Sequence, residues 1–398
     1  MSMFYHLPPV GNSVCLSKEA GDSMSVLFPG YKTQYYHSGT AALSAAIVTA
    51  IKQQGIKVPD IKTPEIILPA YACPDLLSAI FYAGAKPVLV DIEADRPWLD
   101  LSSLRAAITE NTAAIIGVNL FGILERWSQL RDIANQNNVI LIEDSAQYFP
   151  VDNKAYDWQG DLVVISFGRG KPVSLLGGGA VLVKNKVLST ALSTVLSEGL
   201  QLPLSMVSGF AQRVSYGLKT RLYNAMISPY LYWLPQLLPF LHLGETRYHV
   251  LAEIERMDAV RQGLLAANIK CYQSDVAALA CCDKISTKLD SLGQIINGQI
   301  INLPRACEAE AEDRLLRYPV LVPVESRNQI YLKLQQAGLG VSILYPSSLP
   351  NIDGVSEVMG NEQTFPNADR FASQLITLPT HANVSDSDID KMRLILSQ

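Results

Sequence analysis

The sequence predicts an α/β protein with a mainly parallel sheet covered on both faces, followed by a smaller α+β unit. Three observations carry this. Between residues 38 and 183, short apolar runs of strand length alternate with stretches of helical periodicity. The strand runs are near-continuous hydrophobics, the pattern of strands buried on both faces. After about residue 245 the alternation gives way to a different order of helices and strands. We therefore expect a large domain over residues 1–245 and a small domain over 246–398.

Residues 1–35 read as an irregular entry, punctuated by Pro8, Pro9, Gly11, Pro29 and Gly30. Ser38-Gly39-Thr40 then opens an Ala-rich helix over 41–53. A strand over 65–68 ends at Pro69. A helix follows at 75–84, a strand at 87–91, a helix at 101–107 and a strand at 113–118. After the loop Asn119-Leu120-Phe121-Gly122 come a helix at 127–137 and a strand at 139–142 that stops at Glu143-Asp144. Strands at 161–165 and 180–183 complete the first part. In the second part, helices are expected at 251–267 and 326–337 and a strand at 317–323. Residues 339–344, 365–376, 378–379 and 385–397 complete the unit.

The chain has 398 residues, is 48% hydrophobic and 17% charged, and carries a formal charge of −5. So few charges point to a surface partly hidden by a partner. The acidic balance and the lack of a basic tract exclude a nucleic-acid protein. The cysteines form no CxxC pair, and no histidine stands at ligand spacing, so no metal or disulfide framework is expected. No basic n-region followed by an apolar h-region opens the chain, so a cytoplasmic protein is expected.

Residues 222–244 contain no Asp, Glu, Lys or Arg and are rich in Leu, Tyr and Pro. Their length suits a membrane span, but Pro229, Pro235 and Pro239 break one. A buried or dimer-facing segment, a lid over a bulky substrate, and membrane-surface contact are the readings left open.

The most informative residue is Lys171, in the run Ser166-Phe167-Gly168-Arg169-Gly170-Lys171. A lysine between two strands in an apolar region is costly to bury. A Schiff base with a carbonyl cofactor, above all pyridoxal phosphate (PLP), gives a reason to keep it. PLP also needs a carboxylate at its pyridinium nitrogen and donors at its phosphate. Asp144 ends a buried strand and supplies the first. Gly39, Thr40 and the amide of Ala41 lie at a helix N-terminus, which favours a phosphate, and Ser166 adds a hydroxyl. Gln147 is placed to reach the ring hydroxyl. Taken singly, an Asp after a strand is a turn former, a Gly-Thr is a helix cap and a lysine sits on a rim. A nucleotide P-loop fails because Pro172 stands where Ser or Thr is required. The order cap, acid, hydroxyl and lysine is what points to PLP.

The segments SGTAAL (from Ser38), LPAYACPDLLSAI (from Leu68), GAKPVLVDI (from Gly84), NLFG (from Asn119), LIEDSAQ (from Leu141) and DLVVISFGRGKP (from Asp161) resemble the DegT/StrS (DegT/DnrJ) family of sugar-nucleotide aminotransferases. The later LLRYPVLV, LYPSSLP and LITLPTH segments are similar to its C-terminal domain. The resemblance implies the type I PLP-dependent aminotransferase fold and a homodimer with a shared active site. It also implies small-molecule substrates: an amino donor, glutamate by analogy with the family, and a keto acceptor of the keto sugar nucleotide class. The family places an aromatic residue on the PLP face where this chain has Cys73, and a glutamate before two glycines where it has Gly177-Gly178-Gly179. Arg317 is a candidate for a substrate carboxylate, and Tyr345 and His381 for facing the acceptor. Two other readings stand beside amino transfer. One is a PLP-dependent dehydratase or elimination enzyme, which some relatives run with a histidine in place of the lysine. The other is a non-catalytic regulator that kept the fold.

Overall fold

The computed structural model describes residues 5–18, 23–55, 63–151, 156–198, 209–237, 245–293, 300–309, 314–359 and 364–398. Seven strands form the large sheet: β1 (Lys32–Tyr36), β2 (Glu65–Pro69), β3 (Lys86–Val90), β4 (Thr112–Val118), β5 (Ile140–Asp144), β6 (Leu162–Ser166) and β7 (Gly179–Val183). Their order is β1-β7-β6-β5-β4-β2-β3. The pairs from β3 through β6 are parallel, whereas β7 runs antiparallel to β6 and β1 antiparallel to β7. The mainly parallel α/β architecture is as the sequence predicts.

Successive side chains on a strand face opposite sides, and the core divides accordingly. Ile66, Leu68, Ala114, Ile116 and Ile142 pack with helices Gly39–Gln53 and Asp75–Tyr82. Ile67, Ile115 and Leu141 pack on the other side with Trp127, Leu130 and Ile133 of helix Trp127–Asn137. Both faces are therefore covered, which explains why these strands read as unbroken apolar runs.

Besides helices Ser23–Leu27, Lys186–Glu198 and Val276–Gly293, which are not among the elements expected above, two elements around the large sheet differ from expectation. The entry segment is not wholly irregular: β1 pairs from Lys32↔Val183 to Tyr36↔Gly179 and edges the sheet. Its sequence, KTQYY, is half-polar because only one residue is fully buried. The helix expected over 251–267 runs instead from Ala259 to Gln273. Asp258 sets its start, accepting the amides of Val260 and Arg261 at 3.0 Å each. This helix packs with Val163, Ile165, Ala180 and Leu182, so the chain still covers the large sheet after residue 245.

A smaller antiparallel sheet follows, made of β8 (Ile301–Asn302), β9 (Tyr318–Leu321) and β10 (Leu375–Leu378) in the order β10-β9-β8. Helices Val324–Gln336, Pro366–Gln374 and Asp386–Leu396 accompany it. Of the apolar segment 222–244, residues 222–226 finish helix Phe210–Met226 and 233–236 form one helical turn; residues 238–244 lie outside the described residues. Among the described residues, no helix is long and apolar enough to cross a membrane.

Candidate active site

The C-terminal ends of β5 and β6 and the N-terminus of helix Gly39–Gln53 converge on one cavity of about 270 Å³. This is where open parallel sheets place ligands. Gly39, Thr40, Cys73, Asp144, Gln147, Ser166, Lys171 and Tyr345 all line it. Lys171 sits on the loop between β6 and β7, whose turn is closed by its amide donating to the Gly168 carbonyl at 3.3 Å. Asn12 fixes the far side of the loop, donating to the Lys171 and Pro172 carbonyls at 3.0 and 3.1 Å.

Asp144 ends β5 and is buried; its Oδ1 accepts the Ala146 amide at 2.9 Å. Burial raises its pKa, the Ala146 bond and the Lys171 charge oppose that rise, and Asp75 adds to it. The carboxylate and the lysine thus share one field across the cavity.

Ser166 ends β6 and its hydroxyl accepts the Gly168 amide at 3.3 Å. A Cβ on Gly39 would come within 2.6 Å of Ser166 Oγ, so only bare backbone leaves this cradle open. On the other flank, a Cβ on Gly179 would meet the Ser38 carbonyl at 2.5 Å. Glycine there lets β7 close against the helix start. Thr40 donates to Asp75 Oδ2 at 3.3 Å.

Ala41 does not join this cradle. It is fully buried, and its amide donates to Ser38 Oγ at 3.1 Å, because Ser38 is the helix N-cap and takes up that donor. Gln147 lines the cavity with both ends of its amide engaged: Oε1 accepts the Phe121 amide at 2.9 Å and Nε2 donates to the Tyr345 hydroxyl at 3.2 Å. The Cys73 thiol, pushed up to about 12 by burial, is in hydrogen-bond contact with Tyr345.

The other two candidates stand outside the cavity lining. Arg317 donates to the Ser342 hydroxyl, and its buried Nε has no partner in the described structure. Burial lowers its pKa to about 10, with Tyr232 and Tyr345 opposing. His381 is buried elsewhere, its Nε2 bonded to the Pro8 carbonyl at 2.9 Å, so it does not face the Lys171 cavity. Its role is to hold the entry segment. Two charged residues that the sequence did not single out as site residues also line the cavity: Asp75 and Arg169. Asp75 opens helix Asp75–Tyr82 and Arg169 lies on the loop after β6, and their charge in an apolar region is the signal that could have found them.

The donor set suits PLP: an amine, a buried carboxylate, and hydroxyls around a glycine cradle at a helix start. The DegT/DnrJ/EryC1/StrS aminotransferase family model matches residues 34–228 and 276–396. The chain is 23% identical over 329 residues to UDP-2-acetamido-2-deoxy-3-oxo-D-glucuronate aminotransferase of Pseudomonas aeruginosa, covering 81% of this chain and 76% of that one. A shorter stretch of 153 residues is 31% identical to GDP-perosamine synthase of Escherichia coli O157:H7, covering 38% of this chain and 40% of that relative. Among solved structures, PseC of Helicobacter pylori, an aminotransferase involved in the biosynthesis of pseudoaminic acid, superposes with a TM-score of 0.68. It is 16% identical and covers 97% of this chain and 98% of its own. The chain belongs to the DegT/DnrJ/EryC1/StrS aminotransferase family and is a PLP-dependent aminotransferase.

Proposed function

We propose that this enzyme moves an amino group from glutamate to a keto sugar carried on a nucleotide. The observation that carries this is the meeting of Lys171, Asp144, Ser166 and Thr40 in one cavity. The sugar-nucleotide substrate named for the Pseudomonas aeruginosa relative supports the acceptor class. When bound, PLP supplies an aldehyde for the amine and a ring that accepts electrons from the reacting carbon.

In this reading Lys171 Nζ would hold the cofactor by its amine and would also serve as the base and acid that moves the proton of the donor α-carbon. The Asp144 carboxylate keeps the pyridine nitrogen protonated. Gly39, Thr40 and Ser166 bind the phosphate at the helix start. Gln147 and Tyr345, bonded to each other, would form with Cys73 a wall of the cavity that holds the ring. Arg317, which has a buried donor unused in the described structure, receives a substrate carboxylate. The working form is a cytoplasmic homodimer, which the family resemblance supports.

The test is spectroscopic and chemical. Protein saturated with PLP should show a visible band that Lys171→Ala lacks. Glutamate and a panel of nucleotide-linked keto sugars should yield 2-oxoglutarate and an aminated sugar. A deoxy sugar formed without 2-oxoglutarate would instead establish elimination.

A further inference from the structure

Helix Phe210–Met226 is built inside out. Its inward side makes polar contacts: the Tyr216 hydroxyl donates to the Leu175 carbonyl at 2.8 Å, and Asn224 accepts the Val14 amide and donates to the Val14 carbonyl, both at 2.9 Å. Its outward side carries Phe210, Val214, Leu218 and Leu222, exposed by 84%, 52%, 67% and 60%. At a spacing of four these residues form one slowly drifting stripe. The turn that follows extends the apolar surface with Tyr230, Leu231, Leu234 and Leu237, all exposed. A patch of this extent on a water-soluble surface marks a contact site.

Charge selects the occupant. Residues 209–237 contain Arg213, Lys219 and Arg221 and no Asp or Glu, although the whole chain carries −5. The remainder of the molecule is therefore more acidic still. A two-fold contact through this stripe would bring two copies of the same net-positive segment together. An anionic bilayer instead attracts Lys219 and Arg221 while the aliphatic stripe enters the headgroup boundary, and exposed Tyr230 beside Trp233 suits that depth. At 17 residues the helix is about 25 Å long, enough to lie along a surface.

We propose that helix Phe210–Met226 and the turn after it dock the enzyme on the surface of an anionic phospholipid bilayer. The inner side of the helix is bonded to Leu175, four residues after Lys171, so docking places the cavity next to the bilayer. The proposal is independent of the acceptor's identity, because its test reads binding and not turnover.

The experiment is co-sedimentation of the full-length, PLP-loaded protein with phosphatidylglycerol/phosphatidylcholine vesicles and with phosphatidylcholine vesicles alone. Binding to the anionic vesicles should fall with added salt and be roughly tenfold weaker on the neutral ones. Leu218→Ser and, separately, Arg221→Glu should each weaken it by about tenfold, with the visible cofactor band of both variants intact as proof of folding. Equal sedimentation on both vesicle types, or equal binding by wild type and variants, overturns the proposal. So does a wild type that ignores vesicles while Leu218→Ser shifts its sedimentation from dimer to monomer, which would give this face to a second copy.

Discussion

Gln147 donates its side-chain amide to the Tyr345 hydroxyl at 3.2 Å, joining the end of the large sheet to a loop of the C-terminal part. The same amide accepts from Phe121, and the Tyr71 hydroxyl donates to the Tyr345 carbonyl at 2.9 Å. One wall of the cavity is thus fixed from both parts of the chain.

Tyr345→Phe removes the hydroxyl and leaves a buried amide donor unpaired, at a cost of about 1–3 kcal/mol. The variant should lose thermal stability by that order and turn over more slowly. A melting curve and a kcat measurement check this; unchanged values for both would show that the bond has no role.

Gly39→Ala would place a methyl group within 2.6 Å of Ser166 Oγ. A weakening of PLP affinity by about tenfold, or 1.4 kcal/mol, is expected. Some stability should be lost as well, since the same methyl would lie 2.7 Å from Ser166 Cβ. Titration of the apo-protein by cofactor absorbance measures it, and wild-type affinity would remove Gly39 from the phosphate cradle.

Arg317→Gln should raise the KM for the amino donor by about tenfold or more, with a smaller change in kcat, because a lost carboxylate contact of this kind is worth about 1.5–3 kcal/mol. Arg317→Lys should recover little, since a point charge does not reproduce the guanidinium fork. If KM is unchanged, Arg317 serves packing alone.

His381 gives a pH dependence. Its Nε2 donates to Pro8 and its Nδ1 accepts the Asn383 amide at 3.3 Å, a pattern that only the neutral ring satisfies. Burial, the largest cause, lowers its pKa below 6.5. Below that pH the unfolded chain takes up a proton that the folded chain refuses, so stability falls as pH falls from 6.5 toward the folded value. Melting temperatures of wild type and His381→Gln across this window should converge as pH falls. Parallel curves would mean that His381 does not contribute.

The site was largely legible because its chemistry sits on sequence-local features. Lys171 and Ser166 flank one glycine turn, Asp144 closes an apolar strand, and Gly39-Thr40 opens a helix. Strand β1 was not legible, because KTQYY is an edge strand with one fully buried residue. Nor was the use of the Ala41 amide, since a cap hydroxyl and a ligand compete for the same donor and only geometry decides. His381 and Tyr345 looked alike in sequence as candidates for facing the acceptor. They separate only in space, one bonded to Pro8 and the other to Gln147.

The sequence by itself determined the α/β class and singled out Lys171 and Asp144, because hydrophobic periodicity and short motifs are local properties of the chain. Tertiary structure decided which distant residues share the cavity. It placed Asp75 and Tyr345 in the wall, moved His381 out of it, and turned the apolar stripe of helix Phe210–Met226 toward solvent. Those outcomes depend on how elements far apart in sequence pack, and no local pattern of residues encodes that distance.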